Sequence, residues 1–415
     1  MAKLLNINNF KLIWWSIVLY LFIFQPIVSK YIYLTIEIIL VSIFILGHSR
    51  LFKDNIRLFK NEYLFMFLIC GYSSLIDISH LNLVFFDRFV ASFFQSYFVP
   101  FLFIYFISRS KFLQSHLSDC ILCMCFIAGV ITLLAIVEPS FSMFCMNHAT
   151  EDSKDRFQEL YVYGNFSHFR SYGLSESLNF TYAYVISVIG AYVLSTRFKL
   201  YTPFLLVLII ITIIFNARIA FVPILVSFFY LIFFNRGDSR NIRSFILTIA
   251  GFSLLSICML KLYPSLYNEW GLSFFSDLTS TISGEGDGTL NTLTGSMWVV
   301  PDNAFDFIFG TGENLFHSRT SNSDVGYILQ LNYGGLVLLI LVLSYFVYIS
   351  HRIFKVLSIH HWFTLIFIVS VFVLNFKGFY LAAIPGPRFL TFLYVYYIYS
   401  SRKQINSLNP LCPLM

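Results

Sequence analysis

Apolar segments of about 20 residues follow one another along almost the whole chain, separated mostly by short polar connections. A helix that crosses a bilayer must be mainly apolar over this length, because its backbone groups find no water in the hydrocarbon. Only 12% of the 415 residues are charged and 58% are hydrophobic, whereas soluble domains carry about 25% charged residues. This composition excludes a disordered chain. It predicts a protein whose surroundings are mainly lipid.

We expect residues 1–415 to form one all-α polytopic membrane domain with about twelve transmembrane helices. The expected spans are residues 12–29, 31–48, 63–79, 83–107, 119–138, 176–195, 200–216, 218–234, 243–262, 324–350, 361–377 and 383–400. Two of the separations rest on short breaks in longer apolar runs. These breaks are Asn216-Ala217-Arg218 and the stretch from Lys377 to Pro387.

The positions of the basic residues predict the orientation of these spans. With the N-terminus in the cytoplasm and the spans alternating, most of the 27 Lys and Arg residues lie in cytoplasmic segments, and every such segment carries at least two. Both termini are therefore expected in the cytoplasm. The net charge of +6 is expected to anchor the protein to the anionic lipids of the inner leaflet, and no nucleic-acid partner is predicted.

Two connections are much longer than the others, and both fall on the outer face in this topology. They cover residues 139–175 and 263–323. Loops of this length usually carry function or are disordered. We therefore look for a functional site on the outer face.

Two arginines on this face are candidate anion-binding residues, because an arginine near hydrocarbon requires a partner. Arg218 lies in the tight turn Phe215–Phe221, where it either extends to a lipid phosphate or binds a substrate. Arg170 precedes a helix that Ser175 or Ser177 could cap. A helix N-terminus and an adjacent arginine both favour anions, although an ordinary interfacial arginine would also fit the pattern.

A third candidate region leads into the tenth span. Glycines at 310 and 312 mark a turn, and Ser323 or Asp324 can cap the helix that follows. His317, Arg319 and Asp324 are therefore expected at one helix mouth. The alternative is that Asp324 only caps the helix, Arg319 only reaches lipid phosphate and His317 is solvated.

Other polar residues are weaker candidates. Glu37 and the Asp87-Arg88 pair are each either a proton relay or part of a buried structural pair, and the absence of a second acid in register favours the structural pair. Glu285 and Asp287, among three glycines, could bind a metal but are more typical of a mobile loop. We predict no metal and no other cofactor.

Three motifs resemble those of the Wzy-type O-antigen polymerases of Gram-negative inner membranes. The first is Arg170-Ser171-Tyr172-Gly173-Leu174, which is similar to the family's Arg-x-x-Gly turn before a helix. The second is Ala217-Arg218 between two spans. The third is Gly310-x-Gly312, followed by Ser323-Asp324-x-Gly326-Tyr327 and by Gly334-Gly335. The order, sidedness and spacing of the motifs carry the resemblance together.

The resemblance implies the activity. The substrate would be an oligosaccharide repeat unit linked to undecaprenyl diphosphate on the periplasmic side of the inner membrane. Arg170, Arg218 and Arg319 would hold the diphosphate, so that no metal is needed. His317 would be the base for the acceptor hydroxyl, and Asp324 either replaces it or orients it. The family also implies a Wzz-like chain-length co-polymerase as a partner.

Two other functions remain open. O-antigen ligases share the large outer loop and the arginines, but they usually carry a His–Asn-type motif where this chain has Ser323-Asp324. A lipid-linked sugar flippase or secondary transporter also uses about twelve spans, with ionisable residues at mid-membrane. Glu37 and Asp87-Arg88 are the only candidates for that role in the sequence.

Overall fold

The computed structural model describes residues 7–26, 32–79, 94–148, 173–175, 180–195, 201–234, 246, 250, 261, 297–312, 323, 325–356, 361–376 and 385–408. Within these residues the chain is helical and forms no strand. Helices satisfy their backbone groups internally, which an apolar surrounding requires. The all-α prediction is therefore confirmed for the part of the chain that the structure describes.

The helices follow one another with short connections wherever the connecting residues are described. They are α1 (Ile7–Phe24), α2 (Ile32–Gly47), α3 (Ser49–Leu58), α4 (Lys60–Ser79), α5 (Val99–Leu102), α6 (Ile104–Arg109), α7 (Lys111–Val137), α8 (Pro139–Asn147), α9 (Phe180–Ser195), α10 (Thr202–Asn216), α11 (Val222–Phe234), α12 (Ala304–Phe309), α13 (Gly326–Val356), α14 (His361–Leu374) and α15 (Pro385–Leu408). A π-helical turn, Phe94–Phe98, precedes α5, and a 3₁₀ turn, Arg218–Phe221, precedes α11.

The chain divides into two compact units. The first unit contains Met1–Ile32 and Phe112–Asn291, and the second contains Tyr33–Lys111 and Thr292–Met415. In the first unit, every residue of α9 from 181 to 191 is buried. A helix that is apolar on all sides occupies the centre of a helical assembly, and α9 is the central helix of this unit.

Three described helices, α4, α7 and α13, are long and apolar enough to cross a membrane. A fourth candidate is α2 together with α3, which are bent by 103° relative to each other. Several shorter helices are also strongly apolar, among them α1, α9, α10 and α14. These helices make the chain a helical protein with several membrane-capable segments, and twelve spans remain a prediction.

The described helices overlap eleven of the twelve expected spans, but their ends differ from the ends of the apolar stretches. For example, α7 begins at Lys111 rather than at 119, and α15 continues to Leu408 rather than ending at 400. Lys, Arg and Gln are good helix formers, so a helix continues past the point where its side chains stop being apolar. Of the expected span 243–262, only Ile246, Ala250 and Lys261 are described, and all three are helical.

Both long connections, which the sequence predicts on the outer face, contain a short helix in their described parts. Within 139–175 this is α8, which Glu138 caps by accepting a hydrogen bond from the N–H of Ser140. Within 263–323 it is α12, which Asn303 caps by accepting from the N–H of Asp306 at 2.7 Å. Side-chain capping of free N–H groups is the usual start signal of a helix, and here it adds local order to stretches predicted as loops.

Candidate functional site

In the first unit, the short segment that follows the Arg170 motif is held between helices. The hydroxyl of Tyr20 in α1 donates to the carbonyl of Leu174 at 2.7 Å. The hydroxyl of Ser175 donates to the carbonyl of Phe24, at the C-terminal end of α1, at 3.0 Å. Ser175 is one of two predicted caps for the helix after Arg170; its hydroxyl satisfies a carbonyl at the end of α1, and the cap itself stays a prediction because residues 176–179 lie outside the described residues.

Gly173 allows this segment to approach α9. A Cβ atom at this position would lie 2.6 Å from the ring of Tyr182, which is fully buried. The hydroxyl of Tyr182 in turn donates to the carbonyl of Ala128 in α7 at 3.1 Å. The glycine of the Arg-x-x-Gly motif therefore has a packing role, since any larger residue would displace a ring that joins α9 to α7.

One apolar cluster brings together the residues that flank two of the candidate arginines. Leu174, four residues after Arg170, packs against this cluster, and Phe215, three residues before Arg218, is one of its buried members. Cys145 and Met146 of α8 are buried in the same cluster. The segments next to Arg170 and Arg218 therefore meet at one end of the first unit.

The break predicted at Asn216-Ala217-Arg218 is confirmed. The helix α10 ends at Asn216, Ala217 is extended, and the backbone of Arg218 begins the 3₁₀ turn that leads into α11. The side chain of Asn216 is buried, and its amide donates to the carbonyl of Thr212 at 2.9 Å. This hydrogen bond satisfies a backbone carbonyl in the last turn of α10. For Arg218 the structure describes the backbone and not the side chain.

In the second unit, the two glycine pairs of the third motif contact each other. The helix α13 is broken at Gly335, where φ is +65°, and Gly310 has φ of +89°. A Cβ atom on Gly310 would lie 2.6 Å from the N atom of Gly335, and one on Gly335 would lie 2.5 Å from the N atom of Gly310. Only glycine combines positive φ with so close an approach of two backbones.

Hydrogen bonds complete this contact, which we call the glycine lock. The break at Gly335 follows directly after the carbonyls of Asn332 and Tyr333 in α13. The N–H of Thr311 donates to the first at 2.7 Å, and the N–H of Gly312 donates to the second at 3.0 Å. Gly312 is also the last residue described before the segment that carries His317 and Arg319. The lock therefore fixes the start of that segment on α13.

Ser323 fixes the other end of the segment. Its hydroxyl donates to the carbonyl of Met297 at 2.8 Å and accepts from the N–H of Val325 at 3.2 Å, directly before α13 begins. The sequence offered Ser323 and Asp324 as alternative caps, and the contact with Val325 confirms Ser323 in that role. Gly312 and Ser323, the described residues on either side of 313–322, are therefore both held by hydrogen bonds.

Most of the predicted site residues lie outside the described residues. These are Arg170, His317, Arg319 and Asp324, together with Asp87, Arg88, Glu285 and Asp287. For the segments of Arg170, His317, Arg319 and Asp324, the nearest described residues are 173–175, 312, 323 and 325. The roles assigned to these side chains therefore stay predictions.

A buried carboxylate that sequence analysis did not single out lies beside the glycine lock. The hydroxyl of Tyr333 donates to Oδ1 of Asp77, near the C-terminal end of α4, at 2.7 Å. Asp77 is 1% exposed. We call this part of the second unit, where α4 ends and α13 begins, the Asp77 end. The only sequence signal for it is an acid in the last turn of an apolar helix.

The opposite end of α4 and α13 carries a second buried carboxylate, and we call it the Glu62 end. Glu62 is fully buried and accepts hydrogen bonds from Arg352, near the C-terminal end of α13, and from the hydroxyl of Tyr394 in α15. Arg352 also donates to the carbonyl of Leu58 at 2.7 Å and lies over the ring of Phe59. These contacts tie α3, α4, α13 and α15 together.

Glu37 belongs to a buried ion pair, as the structural alternative predicted. Its carboxylate lies 3.6 Å from the guanidinium of Arg388, which is fully buried in the first turn of α15. Nε of Arg388 also donates to the carbonyl of Gln95, in the π-helical turn, at 3.2 Å. Arg388 was not predicted as a site residue. It is a single arginine after Pro385-Gly386-Pro387 in an apolar run, and such an isolated charge indicates a buried partner.

Comparison with known proteins gave no match. No family model, no curated protein and no solved structure is similar to this chain.

Proposed function

We propose that the protein is an O-antigen polymerase of the bacterial inner membrane, with its active site facing the periplasm. It transfers the growing glycan from undecaprenyl diphosphate to the next lipid-linked repeat unit. The bond between the anomeric carbon and the diphosphate oxygen breaks, and a glycosidic bond to an acceptor hydroxyl forms. The hydroxyl proton passes to a base, and undecaprenyl diphosphate leaves.

The observation that carries this proposal is the apolar cluster shared by Leu174 and Phe215. It brings the flanking segments of Arg170 and Arg218 to one end of the first unit. Two guanidinium groups at the membrane surface suit a lipid diphosphate, because arginine makes bidentate, charge-assisted hydrogen bonds to phosphate. A departing diphosphate requires charge stabilisation rather than protonation, and these arginines would supply it without a metal.

The packing of helix ends within each unit agrees with the proposed topology. In the second unit, the topology assigns the C-terminal end of α4 and the start of α13 to the periplasmic side, and these ends meet at Asp77 and Tyr333. In the first unit it assigns the ends of α7 and α10 to the same side, and Ala135 and Phe215 share one cluster. A miscount of one span between the two members of a pair would place them on opposite sides.

In this proposal Arg319 is a third diphosphate ligand, and His317 is the base. An imidazole changes its charge near neutral pH and is suited to accept the proton of a sugar hydroxyl. Asp324 either orients His317 or takes its place. The glycine lock and Ser323 support this assignment, because they hold both ends of the segment that carries His317 and Arg319 on α13.

A deletion strain tests the function. Loss of a polymerase leaves single repeat units on the lipopolysaccharide core, which a gel distinguishes from a ladder of polymer. Loss of a ligase or a flippase would remove O-antigen altogether, and that result would show that the proposal is wrong.

Complementation of that strain tests the arginines. Arg218→Ala is expected to insert in the membrane normally and to reduce polymer formation by about 100-fold or more, the effect of removing one transition-state donor. Arg218→Lys should rescue little, because an ammonium group cannot bind phosphate bidentately. The matched control is Arg50→Ala, an exposed arginine on α3. A wild-type ladder from Arg218→Ala would remove Arg218 from the mechanism.

A further inference from the structure

Among the residues that the structure describes, three buried polar side chains at the Asp77 end have atoms without a hydrogen-bond partner. They are Oδ2 of Asp77, both amide atoms of Gln330 and both amide atoms of Asn375. Gln330 and Asn375 are 0% exposed. Buried polar groups in proteins are nearly always hydrogen-bonded, and an unpaired one in apolar surroundings is destabilising. Several together in one part of a helical unit indicate a binding function.

The geometry of α13 directs Gln330 between two neighbouring helices. The hydroxyl of Tyr327 donates to the carbonyl of Phe372 in α14 at 2.6 Å, and the hydroxyl of Tyr333 donates to Asp77 in α4. Side chains three residues apart on an α-helix point in directions that differ by about 60°. Gln330 is three residues from each tyrosine, so its side chain projects midway between the directions of α14 and α4.

Asn375 lies beside the same contact. It follows Phe372 by three residues, and the ring of its neighbour Phe376 packs against the ring of Tyr327 with centroids 4.9 Å apart. The ring of Trp298 lies 6.4 Å from that of Phe376. Trp298 and Phe376 are 43% and 51% exposed. The part of the second unit where α13 packs against α4 and α14 therefore has polar groups that are buried and aromatic rings that are partly exposed.

We propose that Asp77, Gln330 and Asn375 form a subsite that binds the hydroxyl groups of a sugar residue in the lipid-linked substrate. This inference rests on the proposed function. A carboxylate accepts hydrogen bonds and an amide both accepts and donates them, which matches the donor and acceptor capacity of sugar hydroxyls. The rings of Phe376 and Trp298 provide apolar faces against which a sugar ring packs while its hydroxyls bind the three polar side chains.

Gln330→Met and Asn375→Leu test the subsite, because each removes an amide while keeping a similar volume. The purified protein in lipid nanodiscs is titrated with the undecaprenyl-diphosphate-linked repeat unit extracted from the deletion strain, and separately with undecaprenyl diphosphate. We expect each substitution to raise the Kd for the repeat unit about tenfold, the effect of about one lost hydrogen bond to a polar ligand. The Kd for undecaprenyl diphosphate should not change.

Thr364→Val is the matched control. It removes a buried hydroxyl, also without a hydrogen-bond partner, at the opposite end of α14. This variant should bind both ligands as the wild type does. Thermal unfolding in the same nanodiscs shows whether each variant is folded, since apolar replacement of an unpaired amide should preserve or raise the melting temperature.

The outcomes separate this inference from the proposed function. If the wild type prefers the repeat unit and both amide variants keep that preference, the subsite is wrong and the amides are only unpaired structural groups. If the wild type binds the repeat unit no better than undecaprenyl diphosphate, sugar recognition is absent and the proposed polymerase is wrong as well. A loss of preference confined to the amide variants supports both.

Discussion

At the scale of single residues, glycines have the clearest structural roles. Gly173 lies against the ring of Tyr182, and Gly310 and Gly335 contact each other through their backbones. Each belongs to a motif recognised in the sequence. At each position a Cβ atom would collide with a neighbouring ring or backbone. The glycine lock also places the chain that leads to His317 on α13.

Gly335→Ala should therefore destabilise the protein. The substitution forces a non-glycine residue into positive φ and places its Cβ against the backbone at Ile308 and Gly310. Backbone strain alone costs about 1–3 kcal/mol, and the steric clash adds to it. Denaturant unfolding in detergent measures the loss.

Gly71→Ala in α4 is the control for this prediction, because a Cβ atom there would meet no atom within 4 Å. Alanine is a better helix former than glycine, so this variant should be as stable as the wild type or more stable by about 0.5–1 kcal/mol. Equal stability of the Gly335 and Gly71 variants would contradict the glycine lock.

At the scale of helices, a buried carboxylate joins elements that are far apart in the sequence. Glu62 in α4 accepts hydrogen bonds from Arg352 in α13 and Tyr394 in α15. These contacts hold α4 and α13 at the Glu62 end. The opposite ends of the same two helices form the Asp77 end. A change at Glu62 is therefore expected to act on stability and, through the helices, on the polar groups at the Asp77 end, about 22 Å along α4.

Glu62→Gln should cost about 3–5 kcal/mol of unfolding free energy, because it leaves Arg352 partly buried without its counter-ion. The double variant Glu62→Gln, Arg352→Met should recover part of this loss, since it removes both charges. Asp54→Asn on α3 is an exposed acid-to-amide control and should be neutral. Additive effects in the double-mutant cycle would show that Glu62 and Arg352 are not coupled.

At the scale of the whole molecule, the proposed function requires one face of the membrane for the active site. Single cysteines in a background without native cysteines report that face through a membrane-impermeant maleimide. In spheroplasts, Asp302→Cys should be labelled from outside, and Lys53→Cys should be labelled only after permeabilisation; both positions are exposed. The reverse pattern would contradict the topology and remove Arg218 from the periplasmic side.

Cys145, kept as the single native cysteine in a parallel variant, serves as a reference for folding. Burial raises the pKa of its thiol to about 12, so the thiol is protonated at pH 7 and also inaccessible in the folded protein. It should be unlabelled before unfolding and labelled afterwards, when its pKa returns to about 8.5. Rapid labelling of the folded protein would contradict the packing of α8.

Much of the helical architecture could be predicted from local pattern. The break between α10 and α11, the cap at Ser323 and a buried pair for Glu37 agree with expectation because each depends on a few neighbouring residues or on the cost of a charge in lipid. Arg388 and Asp77 were not selected. Each is a single polar residue in an apolar run, and its importance depends on a partner from a distant helix.

That this chain forms apolar helices follows from its sequence, because a bilayer leaves no other way to satisfy the backbone of such segments. The motif glycines were also identified there, although the expected span 324–350 did not include the break at Gly335. Only the tertiary structure decided which polar groups meet, such as Asp77 with Tyr333 and Glu62 with Arg352. Those partners are more than 250 residues apart, and no periodicity in the sequence encodes which helix faces become neighbours.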